Sequence, residues 1–222
     1  MSRLSYGISS ANDGSMSKAV DDEQRRANQE LFLQSLGSSL EQAILVKLDY
    51  QSDDFCRYYT VDSSMAGSGI TRPSSLTADA LFTTEQDIAL LLPVADCIAA
   101  LLYDSSKGVI GLAHLGRHNL EQQGGKYVIE YMAKQFHSTP NDVCVWLSPA
   151  AGRLNYPLYT FDNRSLHDVA LEQLQSAGVK RANIQVDSRD TTTDESFFSH
   201  SEFLKGNRTT DGRQAVACVL RP

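Results

Sequence analysis

The sequence predicts an α+β fold with a central hairpin and packed helices. Three observations carry this: amphipathic helical stretches, strand-like apolar runs lying between them, and two such runs joined by a short turn. Asp21 to Leu36 reads as the first helix, with acidic Asp21, Asp22 and Glu23 at its positive end and Gly37 as a stop signal. Its flank of Ala27, Leu31, Phe32 and Leu36 is expected to face the core. Strands are expected at Ala43 to Leu48, Cys56 to Val61 and Ile88 to Val94. A second helix over Gln122 to Phe136 repeats Val128, Met132 and Phe136 every fourth residue, and a strand follows at Val143 to Leu147. The third helix, Ser165 to Ala177, carries Leu166, Val169, Ala170 and Leu174 in one stripe, with Gly178 ending it. Asn183 to Val186 and Ala215 to Leu220 complete the strands.

The hairpin holds the chemistry. Cys97 to Tyr103 and Val109 to Ala113 read as paired strands, with Asp104 to Lys107 as the turn. A loop of those four residues pairs Tyr103 with Gly108 and sets Cys97 directly opposite His114, with Cβ atoms about 5 Å apart. A slip of one residue would separate them onto opposite faces. Such closeness suits a shared metal or a thiolate/imidazolium pair. Asp96 is expected to orient His114, tune the thiol or cap a turn. Cys56, Cys144 and Cys218 sit in strand-like stretches and are expected to be small buried hydrophobes.

The 222 residues, with no long linker or composition break, suit a single domain over 1–222. A net charge of −7 argues against a nucleic-acid partner, which needs clustered Lys and Arg against phosphates. The apolar runs are too short to span a bilayer, and the opening residues carry no apolar signal core, so no membrane partner and a cytoplasmic location are expected. The widely spaced cysteines are expected to be free thiols. Met65 to Ile70 lacks the full pattern of a phosphate-binding loop and reads as a flexible loop.

Ala78-Asp79-Ala80-Leu81-Phe82-Thr83, Ala95-Asp96-Cys97 and the Ala113-His114 strand end resemble, in order and spacing, segments of the bacterial laccase-domain family. That family is also called polyphenol oxidase or YfiH-like and is associated with purine nucleoside phosphorylase and adenosine deaminase activities. Tyr6-Gly7-Ile8-Ser9-Ser10, Phe197-Phe198-Ser199-His200 and Asp211-Gly212-Arg213 resemble its terminal elements. The resemblance spans nearly the whole chain. It implies a sandwich-like domain with its site at the open end of the hairpin.

The resemblance also implies zinc held by a histidine in Q-V-H-G, the cysteine of A-D-C and the histidine opening H-A-G-W-R-G. Lys47-Leu48-Asp49-Tyr50 aligns with the first motif, which makes Asp49, Cys97 and His114 the expected metal ligands. His118 is an alternative third ligand, and a solvated strand end is the alternative reading of Asp49. His114-Leu115-Gly116-Arg117-His118-Asn119 departs from the third motif, placing Arg117 at the tryptophan and His118 at the arginine.

Cys97, His114 and Arg117 are thus the expected catalytic residues, and Arg117, His118 and His200 the expected contacts to nucleoside and phosphate. The implied function is zinc-dependent purine nucleoside phosphorolysis with adenosine deamination. A metal-free Cys-His hydrolase and an inactive paralogue acting as a binding protein are the alternatives. Multicopper oxidation is not supported, because the chain has five histidines and no H-x-H pair. His137 and His167 read as structural residues, and the oligomeric state is left open.

Overall fold

The computed structural model describes residues 4–17 and 20–222; residues 1–3, the start of the stretch read for a signal core, lie outside them. Alternation of apolar side chains on the strands, with period two, organises the chain into two sheets whose inner faces meet. In chain order the strands are β1 (Leu4–Ile8), β2 (Ala43–Leu45), β3 (Tyr58–Thr60), β4 (Ala80–Thr83), β5 (Ala89–Val94), β6 (Ile98–Asp104), β7 (Val109–Leu115), β8 (Cys144–Leu147), β9 (Ile184–Val186) and β10 (Gln214–Leu220). The helices are α1 (Asp22–Ser35), α2 (Arg117–Glu121), α3 (Gly124–Phe136), α4 (Leu166–Ser176) and α5 (His200–Leu204).

One sheet runs β1-β10-β5-β2 and the other β3-β4-β7-β6-β8-β9. On β5, Leu90, Leu92 and Val94 point between the sheets, where they meet Ala99 and Leu101 of β6 and Ile110 and Leu112 of β7. Ala89 and Leu91 point the other way, onto Phe32 and Leu33 of α1. The opposite face of the six-stranded sheet, including Ala100, Leu102 and Ala113, is covered by Val128, Ile129 and Met132 of α3 and by Leu166, Ala170 and Leu174 of α4. The result is a sandwich with helices on both outer faces, each fully buried Leu or Ile contributing roughly 1.5–3 kcal/mol. Among the described residues no helix is long and apolar enough to cross a membrane.

α1, α3 and α4 form close to the three predicted helical spans, while the short α2 and α5 were not predicted. The Asp21 carboxylate accepts from Gln24 N–H at the start of α1, and the Ser165 hydroxyl accepts from Asp168 N–H at the start of α4. The face of α1 differs from expectation: Ala27 and Leu31 are exposed, while Asn28, Gln29, Phe32 and Leu33 are buried. The helix turns this way because Asn28 and Gln29 donate to the carbonyls of Ser15 and Met16, 3.0 and 2.9 Å away. Cys144 is exposed at the start of β8, against the expectation of burial, whereas Cys218 is buried; all four cysteines are free thiols. His137 is exposed at the end of α3, and His167 Nε2 lies 2.9 Å from the Ser148 carbonyl.

The hairpin register differs from the predicted one by two residues. Asp104 pairs with Val109 and Ala99 with His114, so the loop is 105–108. Asp104 remains in the strand while its carboxylate accepts from Ser106 and Lys107 N–H, and Gly108 takes the positive φ of 62° inside the turn. A shift of two preserves the face of every side chain.

Candidate active site

Even-numbered positions of β7 and odd-numbered positions of β6 face the opposing sheet, so His114 and Cys97 share the inner face at the open end of the sandwich. They are diagonal neighbours rather than directly opposed. Gly116, just past β7, lets them meet. A β-carbon there would lie 2.8 Å from Cys97 Sγ, 2.8 Å from His114 Cε1 and 3.2 Å from His114 Nε2.

The turn that presents Cys97 is anchored by Asp96, which is buried at φ 71°. Its carboxylate accepts from the Thr191 hydroxyl at 2.8 Å and from Ser201 N–H at 2.7 Å, and its carbonyl accepts from Ala151 N–H at 2.8 Å. Asp96 therefore joins the turn to the 190s loop and to α5; its side-chain bonds go to these two segments rather than to His114.

The other side of the pair rests on residues to which the sequence reading gave no role. Asp79 accepts at its carboxylate from Arg57 Nε at 2.8 Å and from Asn119 Nδ2 at 3.3 Å, while its carbonyl accepts from His114 N–H at 2.8 Å. Asn119 Oδ1 accepts from Gly116 N–H at 3.0 Å. The one sequence signal for this network was the position of Asp79 within Ala78 to Thr83.

Burial pushes the Cys97 thiol up to about 12, with the Asp96 charge adding to it and Arg213 and Arg117 opposing. Burial likewise holds His114 down to about 4 against the pull of Asp79. Without a cation both shifts favour the uncharged forms, a thiol beside a neutral imidazole, over a thiolate/imidazolium pair.

Above the pair opens a cavity of about 700 Å³, within the range of small-molecule sites. Leu45, Val46, Pro93, Val94 and Leu204 supply apolar wall, Tyr50 and Tyr156 supply rings, and Arg117, His118, His200 and Arg213 supply polar groups. The structure thus brings Cys97, His114, Arg117, His118 and His200 to one cavity. Arg117 Nη2 donates to His118 Nε2 at 3.2 Å. The His118 ring stacks on Phe55 with centroids 4.7 Å apart, and its Nδ1 lies 3.4 Å from Glu121. His200 Nδ1 lies 2.8 Å and Arg213 Nη1 2.5 Å from the same oxygen, Asp211 Oδ1.

Asp49 is not brought there. Its carboxylate lies 3.6 Å from Arg57 Nη1 and accepts from Gln51 N–H at 2.9 Å. The neighbouring Tyr50 takes the cavity position, its ring edge-on to His114 with centroids 6.2 Å apart. Although much of its side chain is exposed, partial desolvation and the nearby Cys97 raise the Tyr50 hydroxyl above its ordinary range, so it remains a neutral phenol. Among the described residues no three His, Cys, Asp or Glu side chains are grouped to hold a metal. A catalytic zinc takes three protein ligands. Cys97 and His114 converge suitably over Gly116 but supply only two, so the donor set present does not fit such a site.

The sequence profile described as multi-copper polyphenol oxidoreductase laccase matches residues 4–164 and 159–221. Among curated relatives, the purine nucleoside phosphorylase YlmD of Geobacillus stearothermophilus is 29% identical over 163 residues, covering 61% of this chain and 57% of that one. The purine nucleoside phosphorylase YlmD of Bacillus subtilis is 29% identical over 91 residues, covering 41% of this chain and 32% of the relative. These matches therefore span between about a third and three-fifths of the relatives' length. A purine nucleoside phosphorylase of Staphylococcus saprophyticus aligns more fully, at 24% identity over 92% of this chain and 88% of its own. Of solved structures, YfiH of Bacillus licheniformis superposes with a TM-score of 0.87 at 21% identity, covering 99% of this chain and 93% of that one. YlmD of Geobacillus stearothermophilus does so at 0.81 and 24% identity, covering 99% and 91%.

Proposed function

The chain belongs to the multi-copper polyphenol oxidoreductase laccase family, and from that membership we propose that it cleaves purine nucleosides by phosphorolysis in the cavity over Cys97 and His114. The observation that carries the reading is the cavity itself: a nucleoside-sized space with apolar and tyrosine walls for a base and arginines for an anion. Relatives named as purine nucleoside phosphorylases support it.

In this reaction a phosphate oxygen attacks the ribose anomeric carbon as the bond to the purine nitrogen breaks. Phosphate needs fixed positive charge while positive charge also develops on the sugar. Arg117 holds the phosphate. The charge of Arg213 also reaches this floor, since it opposes the upward shifts of both Cys97 and Tyr50. Tyr50 and Tyr156 offer ring faces to the base, and such contacts contribute about 0.5–1.5 kcal/mol beyond area burial. Cys97 and His114 form a neutral floor beneath the sugar, excluding water that would divert the reaction to hydrolysis.

No step here passes through a metal, because two donors do not make the site that a metal-bound nucleophile requires. Adenosine deamination, which needs activated water, is therefore left outside the proposal. The Cys-His hydrolase reading is disfavoured by the upward shift of the Cys97 thiol, since the thiolate is the nucleophile.

The test is incubation with adenosine, inosine and guanosine, with and without inorganic phosphate, followed by chromatography for free base and ribose 1-phosphate. Base release that requires phosphate, and that falls at least about tenfold with a raised phosphate KM in Arg117→Ala, is the expected result. Release independent of phosphate, or no release from any nucleoside, overturns the reading.

A further inference from the structure

The cavity contains a histidine remote in sequence from His114 and His118, with a fixed orientation. His200 is the first residue of α5, and its Nδ1 is 2.8 Å from Asp211 Oδ1. Asp211 comes from the segment before β10, and Arg213 Nη1 holds the same carboxylate oxygen at 2.5 Å. Arg213 is itself fixed by donating to the Gly212 carbonyl at 2.7 Å. With Nδ1 committed to a carboxylate, Nε2 is the nitrogen left to face the cavity that His200 lines.

Burial would raise the Asp211 carboxyl, but bonds from Arg213 and His200 bring it below the ordinary carboxylate range, so it stays ionised. A carboxylate held on one ring nitrogen fixes the plane of the ring and aims the other nitrogen. This is the arrangement of a positioned acid: one nitrogen oriented by a carboxylate, the other presented to substrate. α5 itself is fixed to the Cys97 turn, because Ser201 N–H donates to the Asp96 carboxylate at 2.7 Å. The position of His200 is thereby coupled to the floor of the site.

We infer that His200 is the general acid of the reaction, giving the proton on Nε2 to the departing purine, with Asp211 as its positioning residue. The inference rests on the phosphorolysis reading. The bond from ribose C1′ to purine N9 breaks with its electron pair going to the base, and the imidazolium proton moves to N7 of that base. A phosphate oxygen forms the new bond to C1′. The proton of hydrogen phosphate returns to Nε2, so that base and ribose 1-phosphate leave with the enzyme restored.

The experiment compares guanosine with 7-methylguanosine, whose base already carries a methyl group and a positive charge at N7 and departs neutral without a proton. In His200→Gln, kcat on guanosine is expected to fall about 100-fold or more, while on 7-methylguanosine it falls less than about fivefold. Asp211→Asn is expected to show the same selectivity with a smaller loss, about tenfold on guanosine. His200 is part-exposed on a short surface helix, and thermal melting of each variant checks folding independently. Equal losses on both substrates, or none on either, overturn the general-acid role while leaving phosphorolysis intact. A wild-type protein that cleaves neither substrate overturns the underlying reading, and this inference with it.

Discussion

Cys97 Sγ and His114 Nε2 converge on one point above the α-carbon of Gly116, where a β-carbon would lie 2.8 and 3.2 Å from them. The glycine backbone, at φ −92° and ψ −177°, is open to any residue, so the requirement at this position is space alone. Gly116→Ala is expected to push the two side chains apart, lower kcat/KM for phosphorolysis at least tenfold, and destabilise the fold by about 1–3 kcal/mol through overpacking. Steady-state kinetics with urea unfolding checks it. Unchanged kinetics would show that the spacing of the pair is not used.

Asp49 gives the opposite expectation. It sits on Arg57 at 3.6 Å, partly exposed, while Asp79 holds the same guanidinium at 2.8 Å. Asp49→Ala is expected to change stability by no more than about 1 kcal/mol. It should alter turnover less than twofold and leave the metal content per chain unchanged, as measured by elemental mass spectrometry on tag-free protein. Loss of bound metal in this variant would restore the ligand role that the resemblance implied.

How legible the site was follows from the kind of information each residue carries. The pairing of Cys97 with His114 on one face was readable because strand periodicity fixes faces; the register was displaced by two because Asp104 serves as both strand residue and turn cap. The same physics misled at α1, where hydrogen bonds from Asn28 and Gln29 rotate the helix past the stripe drawn from Ala27 and Leu31. The Lys47 to Tyr50 segment was harder still. Periodicity does not say which of two adjacent residues in an irregular stretch reaches the cavity, and Tyr50, though largely exposed, lines it where Asp49 does not. Arg57 and Asn119 act through contacts between distant segments, which leave no local pattern, and Asp79 stood out only by its place in Ala78 to Thr83.

His114 imposes a pH dependence on stability. Its folded-state value, about 4, lies below the ordinary value of about 6.5, so between those limits the unfolded chain binds a proton that the native state does not. The stabilisation is complete above about pH 6.5 and is lost as pH falls toward 4, a span worth roughly 3 kcal/mol. Urea unfolding with a chelator present, so that no cation competes with the proton, should show this acid-side loss in the wild type. It should show less loss in His114→Gln. Parallel curves for the two proteins would remove His114 as the cause.

Asp96 allows the strain of the Cys97 turn to be separated from its hydrogen bonds. The residue sits at φ 71°, where asparagine and glycine are tolerated and alanine is not, and it accepts from two donors on different segments. Asparagine can satisfy both, accepting from Ser201 N–H through its oxygen and donating to the Thr191 hydroxyl, so Asp96→Asn is expected to cost less than about 1 kcal/mol. Glycine relaxes the backbone but orphans both donors, for a loss of about 2–3 kcal/mol. Alanine adds roughly 1 kcal/mol of left-handed strain to that. The Asp96 charge also raises Cys97, so Asp96→Asn should move the thiol titration, followed by thiolate absorbance, to lower pH. A stability order of Asn, then Gly, then Ala, together with that shift, would assign to Asp96 both the shape of the turn and part of the protonation of its cysteine. An alanine variant as stable as the asparagine one would show that neither bond holds the turn.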